Sequence, residues 1–137
     1  KNSYKTFLKE LSNSIKSYEY VHETLSILRK NKIVAFTEDS KETAVFKLKV
    51  TNLLQYFDLV ITSNDTNIMK PNEEYYNLIF KKLNLSPNEC LVIGDSYEKD
   101  LEIAKNLGCL TVCVTNDKRA DYQITNFTEL IEILKGH

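Results

Sequence analysis

The sequence predicts an α/β protein in which a parallel sheet lies between two layers of helices, a three-layer α/β/α arrangement. Two observations carry that expectation. Short apolar runs alternate with longer segments of helical periodicity, the pattern of strand–helix–strand units joined by right-handed crossovers. In the stretch Leu91-Val92-Ile93-Gly94-Asp95-Ser96-Tyr97-Glu98-Lys99-Asp100, a buried strand turns at once into a helix whose inner face is Leu101, Ala104 and Leu107. A chain of 137 residues is one domain's worth and can bury a full core without staples.

In order, residues 1–16 place Phe7, Leu8, Leu11 and Ile15 at helical spacing and predict a surface helix with a narrow apolar stripe. A second helix is expected from Tyr18 to Lys30, with Val21, Leu25 and Leu28 inward, and Asn31 stops it. Lys32 to Thr37 reads as a buried strand. Ser40 or Asp39 caps a helix running to about Leu54, with Val45, Leu48 and Leu53 facing the core. Asp58 to Thr62 is the next strand, followed by a polar loop over 63–67. Pro71 suits a first helical position, so a helix follows to about Leu83, burying Tyr75, Leu78, Ile79 and Leu83. After the Cys90–Ile93 strand and its helix, Gly108 is placed where a left-handed residue ends a helix. Leu110 to Val114 is a strand, and Asn126 with Glu129 has capping-box spacing at the head of a last helix over Phe127, Leu130, Ile131 and Leu134.

Composition removes several function classes. The 18 basic and 19 acidic residues are interspersed, so neither a nucleic-acid stripe nor an acidic tail is present. No run reaches the ~18 apolar residues of a membrane span, and a signal-peptide pattern is missing from the N-terminus. The expectation is a soluble, cytoplasmic protein with neither nucleic acid nor membrane as partner. Cys90, Cys109 and Cys113 lack CxxC spacing and read as small buried hydrophobes. His22 and His137 are the only histidines, against a His-rich metal site or a Ser/His/Asp triad. Three glycines in all exclude a GxGxxG loop.

In a parallel sheet the carboxyl ends of the strands share one edge, so Thr37, Lys70, Asp95 and Asp100 are expected to converge there. Two carboxylates on a Gly-Asp-Ser turn suit Mg²⁺, which takes one or two carboxylates and keeps several waters. The same residues also make an ordinary helix cap. A hydroxyl, an ammonium and a carboxylate-bound Mg²⁺ about one point would form a phosphate site, although Lys70 alone reads as a solvated lysine and Thr37 alone as a cap.

Thr37 at its strand end, Lys70-Pro71-Asn72-Glu73-Glu74-Tyr75-Tyr76, and Glu89 through Leu101 with Ala104 and Gly108, resemble the later motifs of the haloacid dehalogenase (HAD) superfamily. The subgroup is the phosphoglycolate-phosphatase-like one, whose helical cap follows the first strand. The resemblance runs from about Tyr18 to the C-terminus. It implies a Rossmann-like core over 18–137, with residues 1–17 as the end of the cap or a linker. It also implies a Mg²⁺-dependent phosphohydrolase acting on a small phosphorylated metabolite through a phosphoaspartate. By the same resemblance Thr37 holds the phosphoryl group, Lys70 anchors it and the nucleophile, Asp95 binds Mg²⁺ and Asp100 supports it.

Two departures stand out. The family's nucleophile and acid–base partner are the aspartates of a DxD motif ending the central first strand, and no Asp-x-Asp occurs in the sequence. Glu38 follows Thr37, where a small or amide residue is commoner. The resemblance then implies that the first strand and most of the cap precede Lys1 in the natural protein, and that this chain alone is inactive. Its sheet would be incomplete between the Ile33 and Leu91 strands. Two unpaired inner edges are costly, so either those strands close on each other or another segment fills the gap. A missing N-terminal piece or a second chain is the partner that would complete the sheet. The alternative function is a non-catalytic phosphate- or Mg²⁺-binding module; a receiver-like domain fits poorly, because Asp39 and Asp65 do not match its acidic positions.

Overall fold

The structure, a computed structural model, describes residues 6–10, 23–27, 31–66, 72–125 and 128–135. Its strands are β1 (Thr6–Glu10), β2 (Lys32–Phe36), β3 (Leu59–Ile61), β4 (Cys90–Gly94), β5 (Leu110–Cys113) and β6 (Tyr122–Gln123). Its helices are α1 (23–27), α2 (Lys41–Val50), α3 (Ser63–Thr66), α4 (Glu73–Leu83), α5 (Glu102–Leu107) and α6 (Glu129–Lys135). A π-helical turn, Tyr97–Leu101, leads into α5. The strands form one sheet in the order β3-β2-β1-β4-β5-β6, and every pairing is parallel.

The residues of β2, β4 and β5 alternate between two cores, as the two-residue period of a strand requires. Ile33, Ala35, Leu91, Ile93 and Val112 pack with Leu25, Ala44, Leu48 and Leu130 on one face. On the other, Val34, Phe36, Val92 and Cys113 pack with Tyr75, Tyr76, Ile79, Leu101 and Ala104. The expected three-layer α/β/α architecture is the one found.

The central strand is where sequence and structure part. Residues 6–10 are a strand, not a turn of a surface helix, and they pair with β2 on one side and β4 on the other. Of the two repairs expected for the gap between the Ile33 and Leu91 strands, the second is found: this segment fills it, and the sheet is continuous. At Phe7 and Leu8 the helical stripe is overridden because a strand here closes two ladders at once, and both inner edges would otherwise carry unpaired amides and carbonyls; Leu11 and Ile15 lie outside the described residues.

Smaller differences have local causes. Residues 63–66 form the short helix α3 rather than loop, since Asp65 Oδ2 accepts from the Thr62 amide at 2.8 Å and from its hydroxyl at 3.2 Å. In α2, Leu48 is buried but Phe46 is 66% exposed and Val45 only half-buried. In α4 both Tyr75 and Tyr76 are buried, and Phe80 with them, so its apolar face is wider than the periodicity suggested. Asn72 caps α4 by accepting from the Glu74 amide at 2.8 Å, and Asn84 ends it with φ 55°. Gly108 ends α5 in the left-handed region, φ 114°, as its position predicts. Asn126, Phe127 and the side chain of Leu134 lie outside the described residues; Glu129 instead accepts from the Thr125 hydroxyl at 2.7 Å.

All three cysteines are free and buried. Burial pushes the Cys90 thiol up to about 12 and raises Cys109 as well. Folding thus favours the neutral Cys90 thiol, a contribution complete below its ordinary 9.0 and lost as pH rises from there toward about 12. The native protein is expected to leave all three thiols unmodified by an aromatic disulfide reagent at pH 8 and to expose them on denaturation; rapid labelling of any one in the native state would contradict this.

Candidate active site at the carboxyl edge of the sheet

The strand register brings Thr37 and Asp95 to one edge. Phe36 is paired with Glu10 and with Ile61, and Gly94 lies level with Cys113 and one step past the Lys9–Ile93 pair. Ile61, Phe36, Glu10, Gly94 and Cys113 therefore make one row across the sheet. Thr37 and Asp95 each lie one residue beyond it, on either side of the end of β1. Two strand spacings put their backbones about 10 Å apart.

Thr37 is buried, 3% exposed, at the end of β2. Its amide donates to Ile61 O at 3.0 Å, extending the ladder by one rung, and its Oγ1 accepts from the Asp39 amide at 3.1 Å. Accepting in this way fixes the oxygen and leaves the hydroxyl proton to donate. Asp39 in turn pairs with Lys47 at 2.8 Å, which closes the loop onto α2. Glu38, next to Thr37, is half-buried.

Asp95 is half-buried just past β4, and Asp100 is buried, 3% exposed, within the π-helical turn. The turn folds back on the strand. The Asp100 amide donates to Ser96 O at 2.8 Å, and Asp100 Oδ2 accepts from the Ser96 amide at 3.3 Å. The Tyr76 hydroxyl of α4 donates to the Asp100 carbonyl in a short hydrogen bond. Glycine at 94 makes this possible: a Cβ there would lie 2.7 Å from Asp100 Cβ and 3.0 Å from its Oδ2. Absence of a side chain at position 94 is thus what lets the Asp100 carboxylate fold down onto the end of β4. A π-turn re-aims one residue within a helix start, and such turns concentrate at functional sites.

Asp95, half-buried at the end of β4, and Asp100, buried over Gly94, carry hard oxygen donors of the kind Mg²⁺ takes while keeping several waters. The cradle above Gly94 fits such an ion in chemistry. Among the described residues no group of three or more His, Cys, Asp or Glu is placed to hold a metal, so a cation here would depend on these two side chains and water. Lys70 and Pro71 lie outside the described residues. Periodicity missed Tyr76 and the Gly94 contact. A second tyrosine beside Tyr75 was the available signal, since a buried tyrosine carries a hydroxyl that must find a partner.

The edge of this parallel sheet thus carries a threonine and a Gly-Asp turn on the strand ends either side of β1, and a second aspartate folded back over the glycine. The description "haloacid dehalogenase-like hydrolase" matches residues 4–108, so the chain belongs to that family. It is 30% identical over 131 residues to pyrophosphatase PpaX of Bacillus mycoides, an alignment covering 88% of this chain and 60% of that one. Among solved structures it resembles the HAD phosphatase of Thermococcus onnurineus, with TM-score 0.70 and 32% identity over 93% of this chain and 59% of the other. YfnB of Bacillus subtilis, whose crystal form is bound to magnesium, gives TM-score 0.74 and 26% identity over 82% of this chain and 54% of the other. The chain thus spans little more than half the length of these relatives. No described helix is long and apolar enough to cross a membrane.

Proposed function

We propose that this chain is the core portion of a Mg²⁺-dependent phosphohydrolase acting on a small phosphorylated metabolite. The observation that carries the reading is the Asp100 carboxylate folded over Gly94, the residue before Asp95, at the end of a strand whose next-but-one neighbour leads into Thr37. In this reading Asp95 and Asp100 hold the cation. Bound there, Mg²⁺ would neutralise charge spreading over the phosphoryl oxygens. Thr37 donates its hydroxyl proton to one of those oxygens, and Lys70 sets its ammonium against the same group and the nucleophile. The PpaX relative and the archaeal phosphatase, a protein 32% identical, support phosphate ester or anhydride chemistry.

The nucleophile comes from outside this chain in our reading. The family's aspartate pair ends the central strand, and here that strand ends in Lys9-Glu10, with Leu11-Ser12 next in the sequence. A phosphoaspartate therefore has no starting point, and the chain alone is expected to leave p-nitrophenyl phosphate unhydrolysed with or without Mg²⁺. The same observation favours a second reading, a non-catalytic module that binds Mg²⁺ and phosphate at this edge. The parent protein decides between them. With the nucleophile strand present, Mg²⁺-dependent hydrolysis is expected, abolished by EDTA and reduced roughly a hundredfold or more by Asp95→Asn. Equal activity in wild type and variant removes Asp95 from the mechanism; Mg²⁺-dependent phosphate binding without turnover selects the module.

A further inference from the structure

Beyond Asp95 and Asp100, the turn that carries them is tied down from outside. Tyr97 opens the π-turn and is buried, 8% exposed, with its ring covered by the Arg119 guanidinium, whose Cζ stands 4.6 Å from the ring centre. Arg119 belongs to the loop between β5 and β6. Its Nε donates to Asp117 Oδ1 at 2.9 Å and one terminal nitrogen to Asp117 Oδ2 at 2.5 Å, a two-pronged pairing within its own loop. The same terminal nitrogen donates to Glu98 Oε2 at 2.5 Å, on the π-turn. From below, Lys105 of α5 donates to the Arg119 carbonyl at 2.8 Å and stands 3.4 Å from Asp121. The loop after β5 is thereby fastened to the π-turn by a stacked ring and an ion pair, and to the helix the turn feeds by two more contacts.

We propose that Arg119 is a positioning residue for the Asp95–Asp100 site: it clamps the π-turn so that Asp100 stays folded over Gly94. The proposal rests on the reading of that pair as a cation site, and goes beyond it by naming what holds the pair in place. Exposed ion pairs on their own contribute little. This one differs because the fork fixes the guanidinium plane before it meets Tyr97, so stacking and charge act on the same turn with little added ordering cost. The hydrogen bonds from Arg119 hold Asp117's carboxyl down at about 2, so the fork persists through ordinary pH.

The test is backbone amide exchange at Asp100 and Glu102, whose N–H groups donate to Ser96 O and Tyr97 O across the turn. Arg119→Ala is expected to speed exchange at both about tenfold or more while leaving the amides of α4 unmoved. Glu98→Gln, which keeps the stack and weakens one arm, should give a smaller change in the same direction. Arg119→Lys keeps the charge without the fork or the plane, and is expected to restore less than half of the protection. Titration with Mn²⁺, followed by water-proton relaxation, should show affinity weakened several-fold in Arg119→Ala with the thermal midpoint nearly unchanged. Unchanged exchange in Arg119→Ala overturns the clamp, and full protection in Arg119→Lys overturns its fork-and-stack basis. If exchange rises as expected but no form of the chain takes up Mn²⁺, the turn-clamping holds while the cation reading fails.

Discussion

Gly94→Ala is expected to lower stability by about 1–3 kcal/mol and, with Asp95 and Asp100 holding the cation as proposed, to abolish divalent-cation binding. The backbone at 94 is not the reason, because Gly108 is the only described glycine with positive φ. Space is. The new methyl would sit 2.7 Å from Asp100 Cβ, 3.0 Å from Oδ2 and 3.2 Å from Cγ. A side-chain tip could swing away, but a Cβ moves only with its backbone. That backbone is held by the Asp100 amide on Ser96 O at 2.8 Å and by the Tyr76 hydroxyl on the Asp100 carbonyl. The π-turn must therefore rise from the strand end and carry Asp100 with it. Denaturant midpoints and Mn²⁺ titration would read the two effects. Asp100→Gly in the same background removes the colliding atom, so the double variant should recover part of the stability without recovering cation binding, a coupling that a double-mutant cycle measures. A Gly94→Ala protein with wild-type midpoint and affinity would show that the turn is not seated on the glycine.

What could be read in the sequence, and what could not, follows from how local each feature is. Strands β2, β4 and β5 are buried on both faces, so residues 33–36 and 90–93 read as apolar runs and Leu110–Cys113 as one broken only by Thr111. Thr37 and Asp95 were legible because a strand's carboxyl end can be located from the run itself. By contrast β1 was not. Its Phe7 and Leu8 satisfy a helical stripe equally well, and its partners are remote in sequence, Lys32 to Phe36 on one side and Cys90 to Ile93 on the other. β6 is two residues at the sheet's edge, too short to leave a period. The closeness of Asp100 to the strand end was expected from a helical first turn, yet it is produced by a π-turn over a glycine. That geometry depends on the Tyr76 hydroxyl from another helix and leaves no mark in local spacing.

Tyr76 joins the core to the site, and truncating it should have the largest effect on stability of any change discussed. It is fully buried, with its ring 6.1 Å from Phe36 at 70° and 5.4 Å from Tyr75 at 82°, both edge-to-face. Such pairs add about 0.5–1.5 kcal/mol beyond the area they bury. Tyr76→Ala removes the ring and opens a cavity against β2, and is expected to cost about 3–5 kcal/mol. Against a total of about 5–15 kcal/mol for a domain, that leaves a marginal fold. Tyr76→Phe separates the two roles. The ring and its stacking remain, while the buried Asp100 carbonyl loses a donor, a change expected to cost about 1–3 kcal/mol. Because that carbonyl belongs to the π-turn, Tyr76→Phe should also weaken Mn²⁺ binding although the substitution is remote from the cation. Wild type should gain thermal stability with added Mg²⁺ as binding to the folded form requires, and Tyr76→Phe should gain less at the same concentration. If the two proteins gain equally, the hydroxyl serves only packing, and Asp100 is held by its own turn without help from α4.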